Sequence, residues 1–199
     1  MSKRTALAVG AAIVVIGAAG CGASSSAGGG QAPQTATANA PEVNPAGDIP
    51  DNQAYVAYAP PGGGFTVKVP EGWSRSATAG AVVFTDKLNT IRVETKAAQA
   101  PLTARDARQT ELPKLASSVS GYQPGTVSTV ARKAGTAVRI TYLAKAKPDP
   151  VTGKTGVDAV ERYVFFHNGK DVILTLSGPK GADNVDPWKI VTDSVTWSR

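Results

Sequence analysis

Between residues 65 and 176 the chain repeatedly places apolar side chains two positions apart, the spacing that gathers them on one face of a β-strand. Phe65, Val67 and Val69 alternate with Thr66 and Lys68, and the run stops at Pro70-Glu71-Gly72, a turn leading into Trp73. Ile91, Val93 and Thr95 alternate with Arg92, Glu94 and Lys96; Val138, Ile140 and Tyr142 alternate with Arg139 and Thr141. Each reads as a strand with one buried face. Val82 to Phe84 is a short apolar run, and Gly125 to Lys133 is a weaker strand ahead of the Ala134-Gly135 turn. Residues 157 to 166 end in Val164-Phe165-Phe166, apolar on both faces, which predicts a central or bulged strand. Asn168-Gly169 supplies the residues of a two-residue hairpin turn, with Val172, Leu174 and Leu176 alternating beyond it.

Two segments switch to helical spacing. Thr103 with Asp106 three residues on predicts an N-cap, and Leu112, Leu115, Ala116 and Val119 follow as one stripe; Pro113 inside it predicts a kink or restart. A closing helix is expected to start at Asp186-Pro187, a capping residue followed by proline, and to present Trp188, Val191 and Val195 on one face. Hairpin-connected strands with two or three covering helices define an α+β class built on an antiparallel sheet.

The pattern begins late in the chain. All tryptophans, tyrosines and phenylalanines lie at or after Tyr55, whereas 21 of the 31 residues from Gly22 to Asn52 are Ala, Gly, Ser, Pro or Thr. Such a stretch cannot offset its ordering entropy, so residues 22–52 read as a disordered tether with a span of roughly 30 Å, and residues 53–199 as one domain. The domain is basic, with 19 Lys or Arg against 12 Asp or Glu.

At the N-terminus, Lys3 and Arg4 precede an uncharged run from Ala6 to Ala19. Fourteen residues fall short of the roughly 20 that span a bilayer, and small residues close the run, so residues 1–20 read as a secretory signal peptide. Ala18-Ala19-Gly20-Cys21 resembles the lipobox of bacterial lipoproteins, with Ala18 where that family prefers Leu. The resemblance implies cleavage after Gly20 and acylation of the Cys21 thiol, hence attachment to the extracytoplasmic face of the cell membrane. The same small residues also satisfy an ordinary Ala-x-Ala-like cut, which would leave Cys21 as an unpaired exported thiol open to oxidation.

The segment Gly64-Phe65-Thr66-Val67-Lys68-Val69-Pro70-Glu71-Gly72-Trp73, the central helix, the meander of long strands and the Ser194-x-x-Trp197 tail together resemble the PsbP-like family over residues 53–199. That likeness implies an α/β/α sandwich and non-enzymatic accessory or binding roles, with no catalytic residue to carry over and no cofactor.

Candidate chemistry is sparse. One cysteine, one histidine and one methionine exclude a disulfide framework, a multi-cysteine zinc site and any triad needing a second imidazole. Gly153-Lys154-Thr155 matches only the tail of a phosphate loop and reads as a hairpin loop; His167 has no second imidazole to form a ligand set. Asp158 and Glu161 would face opposite sides of a strand, and Asp186 serves as a cap. No metal ligands or catalytic residues are therefore assigned, although a Ser-Lys hydrolase and an amphiphile carrier remain formal alternatives. Arg132, Lys133, Arg139, Lys145, Lys147, Lys154 and Arg162 fall on successive strands, and Arg132, Lys133, Lys145 and Lys147 are the candidate basic patch. Such a patch would meet an envelope protein, polymer or anionic lipid, or be simply a solvated sheet face; export removes nucleic acid as a partner.

Overall fold

Ten strands form among the described residues, most of them from these runs. They are β1 (Tyr55–Tyr58), β2 (Phe65–Pro70), β3 (Ser74–Thr78), β4 (Ala81–Thr85), β5 (Thr90–Ala97), β6 (Gln123–Arg132), β7 (Gly135–Lys145), β8 (Val157–His167), β9 (Lys170–Pro179) and β10 (Thr196–Trp197). The structure is a computed structural model that describes residues 45–78, 80–149 and 152–198; the expected signal peptide, Gly20, Cys21 and most of the expected tether lie outside them. Seven strands make one antiparallel sheet in the order β3-β4-β5-β9-β8-β7-β6, and β1-β2-β10 make a second, smaller one. The fold is thus α+β with antiparallel sheets, as the patterning predicts.

Strand β8 lies between β7 and β9 with unbroken register on both sides. That central position explains its double apolar character: Tyr163 and Phe165 join one core cluster, whereas Val160 joins another. The first cluster packs Phe84, Ile91, Val93, Leu174 and Leu176 of the large sheet against Phe65, Val67 and Val69 of β2, Trp188 and Val191 of the closing helix, and Val195, which lies just past the helix end and not on it as its spacing predicts. Full burial of Phe165, Leu174 or Leu176 contributes roughly 1.5–3 kcal/mol each. The second packs Val138, Ile140 and Tyr142 beneath a helical segment.

That segment comprises α1 (Ala104–Asp106), a π-helical turn (Ala107–Glu111) and α2 (Leu112–Ser118). Thr103 caps it as predicted, its Oγ1 accepting the Asp106 N–H at 3.1 Å. The kink expected at Pro113 takes the form of the wide turn just before it, in which the Leu112 N–H reaches back five residues to the Ala107 carbonyl. Ala107 is buried and Leu112, Leu115 and Val119 pack on the sheet, but Ala116 is exposed, contrary to the simple helical spacing. Arg108 on this turn donates from Nη2 to the Val127 carbonyl on β6, an edge strand, at 2.8 Å.

The closing helix α3 (Val185–Asp193) starts earlier than Asp186-Pro187 predicts. Asn184 precedes it, Asp186 is not its cap, and Pro187 sits within the first turn, where no intrahelical N–H is needed. The buried Asn184 side chain is spent elsewhere. Its Oδ1 accepts the Ile49 N–H at 2.8 Å, and its Nδ2 donates to the Gly47 carbonyl at 2.9 Å and to Asn89 Oδ1 at 3.1 Å. Gly178 of β9 must be glycine here, because a Cβ would collide with Asn89 Oδ1. Ile49 itself is buried in the main core. The packed body therefore begins upstream of Gln53, and the segment around Gly47 to Ile49 is part of it rather than of a tether.

Strands β1, β3 and β10 escape the sequence pattern. All five residues of β3 are exposed, and β10 has only two residues, so neither carries a periodic apolar signal. At the other end of the scale, the Asn168-Gly169 hairpin forms as expected, with both residues at positive φ.

On the face of the large sheet shared with the α1–α2 cover, Glu94 pairs with Arg92 at 3.0 Å and with Arg162 at 3.1 Å. Burial alone would push the Glu94 carboxyl up, but these hydrogen bonds and charges outweigh it and hold it below the usual 4.5.

Two outcomes are expected from these contacts. Asn184→Ala should lower stability by roughly 2 kcal/mol in denaturant titrations, because it leaves buried backbone groups unpaired, and should free the segment before Asp51 to proteolysis. In the unaltered chain the protease-resistant fragment should begin before Gly47; a fragment beginning at Gln53 would contradict the packing. For Glu94, a lowered folded-state pKa means that the unfolded chain takes up the proton first as pH falls. Its stabilisation is complete above the ordinary carboxylate value and is lost as pH drops through the folded value. Melts between about pH 7 and pH 3 should therefore show a steeper acid loss for the unaltered chain than for Glu94→Gln.

Candidate functional site

The four residues of the expected basic patch do not share a surface. Lys133 lies in the turn that closes β6 and β7, and Lys145 ends β7. The eleven residues of β7 separate these two ends by about 33 Å. Lys145 and Lys147 are exposed at the β7–β8 loop, whereas the Arg132 side chain is only 14% exposed and is not a patch residue at all. Strand patterning placed these residues on neighbouring strands correctly, but strand length and the covering helix decide which of them meet.

Arg132 is the centre of a polar network under α3. Its Nε donates to Thr192 Oγ1 at 2.9 Å and lies 3.8 Å from Asp193, while Nη2 donates to the Tyr163 hydroxyl at 3.0 Å. The guanidinium also lies over the Tyr163 ring, 5.1 Å from its centroid. Tyr163 in turn donates to Glu161 Oε2 at 2.5 Å, and Arg139 reaches Glu161 Oε1 at 3.5 Å. Burial first, and then the bond to Glu161, push the Tyr163 hydroxyl above its usual pKa, so it stays a proton donor at neutral pH. Glu161 and Tyr163 are two apart on β8, and Arg139 pairs with Tyr163 across β7. Period-two spacing gives the first relation from sequence, but only the register gives the second.

Above this network runs an open groove of about 1080 Å³ along α3, walled by Lys68, Lys133, Lys189, Asp186, Ile190 and Trp197. Lys189 pairs with Asp193 one helical turn on; burial raises the Asp193 carboxyl, but the bond to Lys189 and the nearby Lys189 and Arg132 charges bring it below the usual value. Lys68 and Lys133 have no ion pair among the described residues. Ile190 is 45% exposed on the same helix. Lys68, Lys133 and the Lys189-Ile190 pair come from three separate sequence regions, and their convergence has no signal in the chain's local pattern.

Ser194 also lines the groove among these lysines, the arrangement a Ser-Lys nucleophile would require. Its hydroxyl is already committed, however: Oγ accepts the Lys68 backbone N–H at 2.7 Å and donates to the Val191 carbonyl at 2.6 Å. The remaining residues singled out by sequence have structural roles. His167 stacks on Trp197 with ring centroids 4.5 Å apart and planes 5° from parallel, and Trp197 Nε1 donates to the Ala134 carbonyl. The segment around Lys154 closes the β7–β8 loop by backbone bonds with Asp149. Asp158 and Glu161 fall on opposite faces of β8, and burial raises the Asp158 carboxyl. Among the described residues no cluster of three or more His, Cys, Asp or Glu is placed to hold a metal, and no helix is long and apolar enough to cross a membrane.

The architecture shares the α+β fold of PsbP-like proteins. Cyanobacterial PsbP (CyanoP) from Synechocystis sp. PCC 6803 superposes with a TM-score of 0.51 at 16% identity, over 73% of this chain and 93% of that one. The Ran-binding protein Mog1p of Saccharomyces cerevisiae gives 0.49 at 13% identity over 73% and 96% of the two chains. A protein of Bacteroides thetaiotaomicron VPI-5482 gives 0.48 at 16% identity; the match covers 72% of this chain but only 48% of that one, so this chain spans about half its length. In sequence, no family model and no curated protein matches.

The network and the loop lysines should respond differently to charge reversal. Arg132→Glu should destabilise the fold by roughly 3 kcal/mol or more, because it buries a second carboxylate beside Asp193 and leaves Tyr163 and Thr192 without their donor. Lys145→Glu with Lys147→Glu should change stability by under about 0.5 kcal/mol per site. Comparable melting shifts in the two variants would contradict the assignment of Arg132 to the interior.

Proposed function

We propose that this chain is a lipid-anchored, extracytoplasmic, non-enzymatic binding or accessory protein of the cell envelope. The signal-peptide pattern and the lipobox resemblance at Ala18-Ala19-Gly20-Cys21 support export and acylation, and two or more acyl chains are what make such an anchor stable. The Ala/Gly/Ser/Pro-rich stretch after Cys21 then acts as the spacer between bilayer and body.

The observation that carries the binding role is the open groove along α3, with Lys68 and Lys133 on its wall and Ile190 exposed beside them. A broad, solvent-open trough with cationic groups suits docking of an acidic or polar envelope component. A carrier of amphiphiles needs an enclosed apolar chamber instead. The commitment of Ser194 Oγ to two backbone partners disfavours the hydrolase alternative.

Mass spectrometry of the membrane fraction should find Cys21 as the acylated first residue, and Cys21→Ala should abolish that acylation and either release the protein or strand it with its signal segment uncut. An unmodified Cys21 in a soluble secreted product would end the anchoring proposal. Crosslinking in intact cells should recover an envelope partner whose yield falls when Lys68 and Lys133 are both changed to Glu and persists when Lys145 and Lys147 are. Equal losses in both pairs would remove the groove from the proposal.

A further inference from the structure

The two ends of the large sheet differ, and residues 45–49 join the body at one of them. Gly47 packs against Pro179 at the end of β9, and Asp48 Oδ1 accepts the Asp183 N–H at 2.9 Å. At this end Lys145 of β7 pairs with Val157 of β8, whose carbonyl accepts the Lys180 N–H at 2.8 Å. The β4–β5 turn lies at the same level, because β5 begins with Thr90 opposite Ser177 and Asn89 crowds Gly178. Strands β7, β8, β9 and β5 are successive neighbours, about 14 Å across in total at the spacing of paired strands. That width collects Lys87, Leu88, Lys145, Val157 and Lys180, with Lys147 just beyond in the β7–β8 loop.

The side chains gathered there are of two kinds. Leu88 is 45% and Val157 41% exposed, whereas none of the exposed large apolar side chains among the described residues lies in the turns of the opposite end, 78–81, 132–135 and 167–170. Lys87, Lys145, Lys147 and Lys180 are exposed and make no ion pair among the described residues. Nearby carboxylates are fastened to backbone donors. Asp86 Oδ1 accepts the Leu88 and Asn89 N–H groups at 2.8 and 2.6 Å, and Asp149 Oδ1 accepts the Thr152 N–H at 2.6 Å. Asp158 is half-buried on β8, and the exposed Asp183 and Asp186 lie toward α3. A lysine ammonium instead stands out on a four-carbon stem, so the outermost layer from β7 to the β4–β5 turn is cationic, with two aliphatic side chains exposed among the lysines.

We infer that this end of the sheet docks on the surface of an anionic bilayer, with its lysines at the phospholipid headgroups and Leu88 and Val157 toward the acyl boundary. The inference rests on the reading that Cys21 carries the anchor. Twenty-three residues separate Cys21 from Pro45, a length that spans roughly 26 Å as a flexible coil, and the chain joins the body at this end. An anchored body therefore has the bilayer as a permanent neighbour, at an effective concentration on the order of millimolar, where even a weak contact is populated. Each lysine near the headgroups adds a modest attraction, and the aliphatic side chains add burial that a purely charged face lacks. None of these six residues walls the groove along α3, so contact with the bilayer uses a surface that the groove does not.

The test uses the chain from Cys21 onward, coupled through Cys21, its one thiol, to a maleimide-bearing lipid in preformed vesicles. The vesicles are phosphatidylcholine with about 30% phosphatidylglycerol, or phosphatidylcholine alone. Acylation of lysines by an amine-reactive reagent is then read peptide by peptide by mass spectrometry. Lys87, Lys145, Lys147 and Lys180 should label about fivefold more slowly on the anionic vesicles than on the neutral ones, while Lys133, in the β6–β7 turn at the opposite end, should label alike on both. The protection should disappear in about 1 M salt, where the Debye length is about 3 Å. Lys145→Glu with Lys147→Glu, exposed sites where charge reversal barely alters stability, should return Lys87 and Lys180 to within about twofold of their rates on neutral vesicles. Because the maleimide link stands in for the acyl chains, an unacylated Cys21 in cells would end the anchoring proposal without changing this result. Equal labelling on the two kinds of vesicle, equal protection of Lys133, or undiminished protection in the double variant would overturn the docking surface.

Discussion

Strand β8 imposes the architecture because it is apolar on both faces. With Tyr163 and Phe165 directed to one side and Val160 to the other, it is stable only at the middle of a sheet covered twice. The two covers are unequal. On one side β2, α3 and the residues just after it supply Phe65, Val67, Val69, Trp188, Val191 and Val195; on the other the segment from α1 to α2 supplies Ala107, Leu112 and Leu115, with Val119 at its end. Beyond that segment, the face toward β5 is held by charge pairing, Arg162 to Glu94 to Arg92, in place of apolar packing.

This division explains what the sequence reveals and what it conceals. Strands with one buried face announce themselves by alternation, as Phe65–Val69, Ile91–Val93 and Val172–Leu176 do, and the Asn168-Gly169 turn fixes one hairpin register outright. The PsbP-like resemblance rested on these same structural positions, and the observed fold agrees with it. Elements stabilised by neighbours rather than by their own pattern are silent: β3 is exposed throughout, β10 exists because Thr196 and Trp197 pair with β2, and Ile49 looks like part of a low-complexity stretch until Asn184 is seen to bind its backbone. The start of the closing helix was misplaced for a related reason. Asp186 has the chemistry of a cap, but α3 begins one residue earlier, at Val185, because Asn184 is drawn into contacts with Gly47, Ile49 and Asn89.

The candidate basic surface was legible as a set of residue types and not as a place. Lysines and arginines on successive strands suggested one basic face, yet Arg132 is enclosed by Tyr163, Thr192 and Asp193, and Lys133 and Lys145 mark opposite ends of β7. The groove that does form draws Lys68 from the small sheet, Lys133 from a turn and Lys189 from α3, a convergence that depends on tertiary packing alone. Within it, the Ser194 hydroxyl bridges β2 to α3, so a residue of nucleophilic type acts as a fastening between layers.

The attachment of Gly47 and Ile49 to Asn184 also decides how the body takes mechanical tension. If the N-terminal segment is tethered, a pull along it arrives first at the bonds from Asn184 to the Ile49 N–H and the Gly47 carbonyl, and at the contact of Gly47 with Pro179 at the end of β9. These contacts lie between the point of traction and β1, so the β1–β2 hairpin is shielded from peeling until they part. A few buried hydrogen bonds next to a central strand thereby act as strain relief for the small sheet, and the first structure to yield under force is a short strap rather than the core.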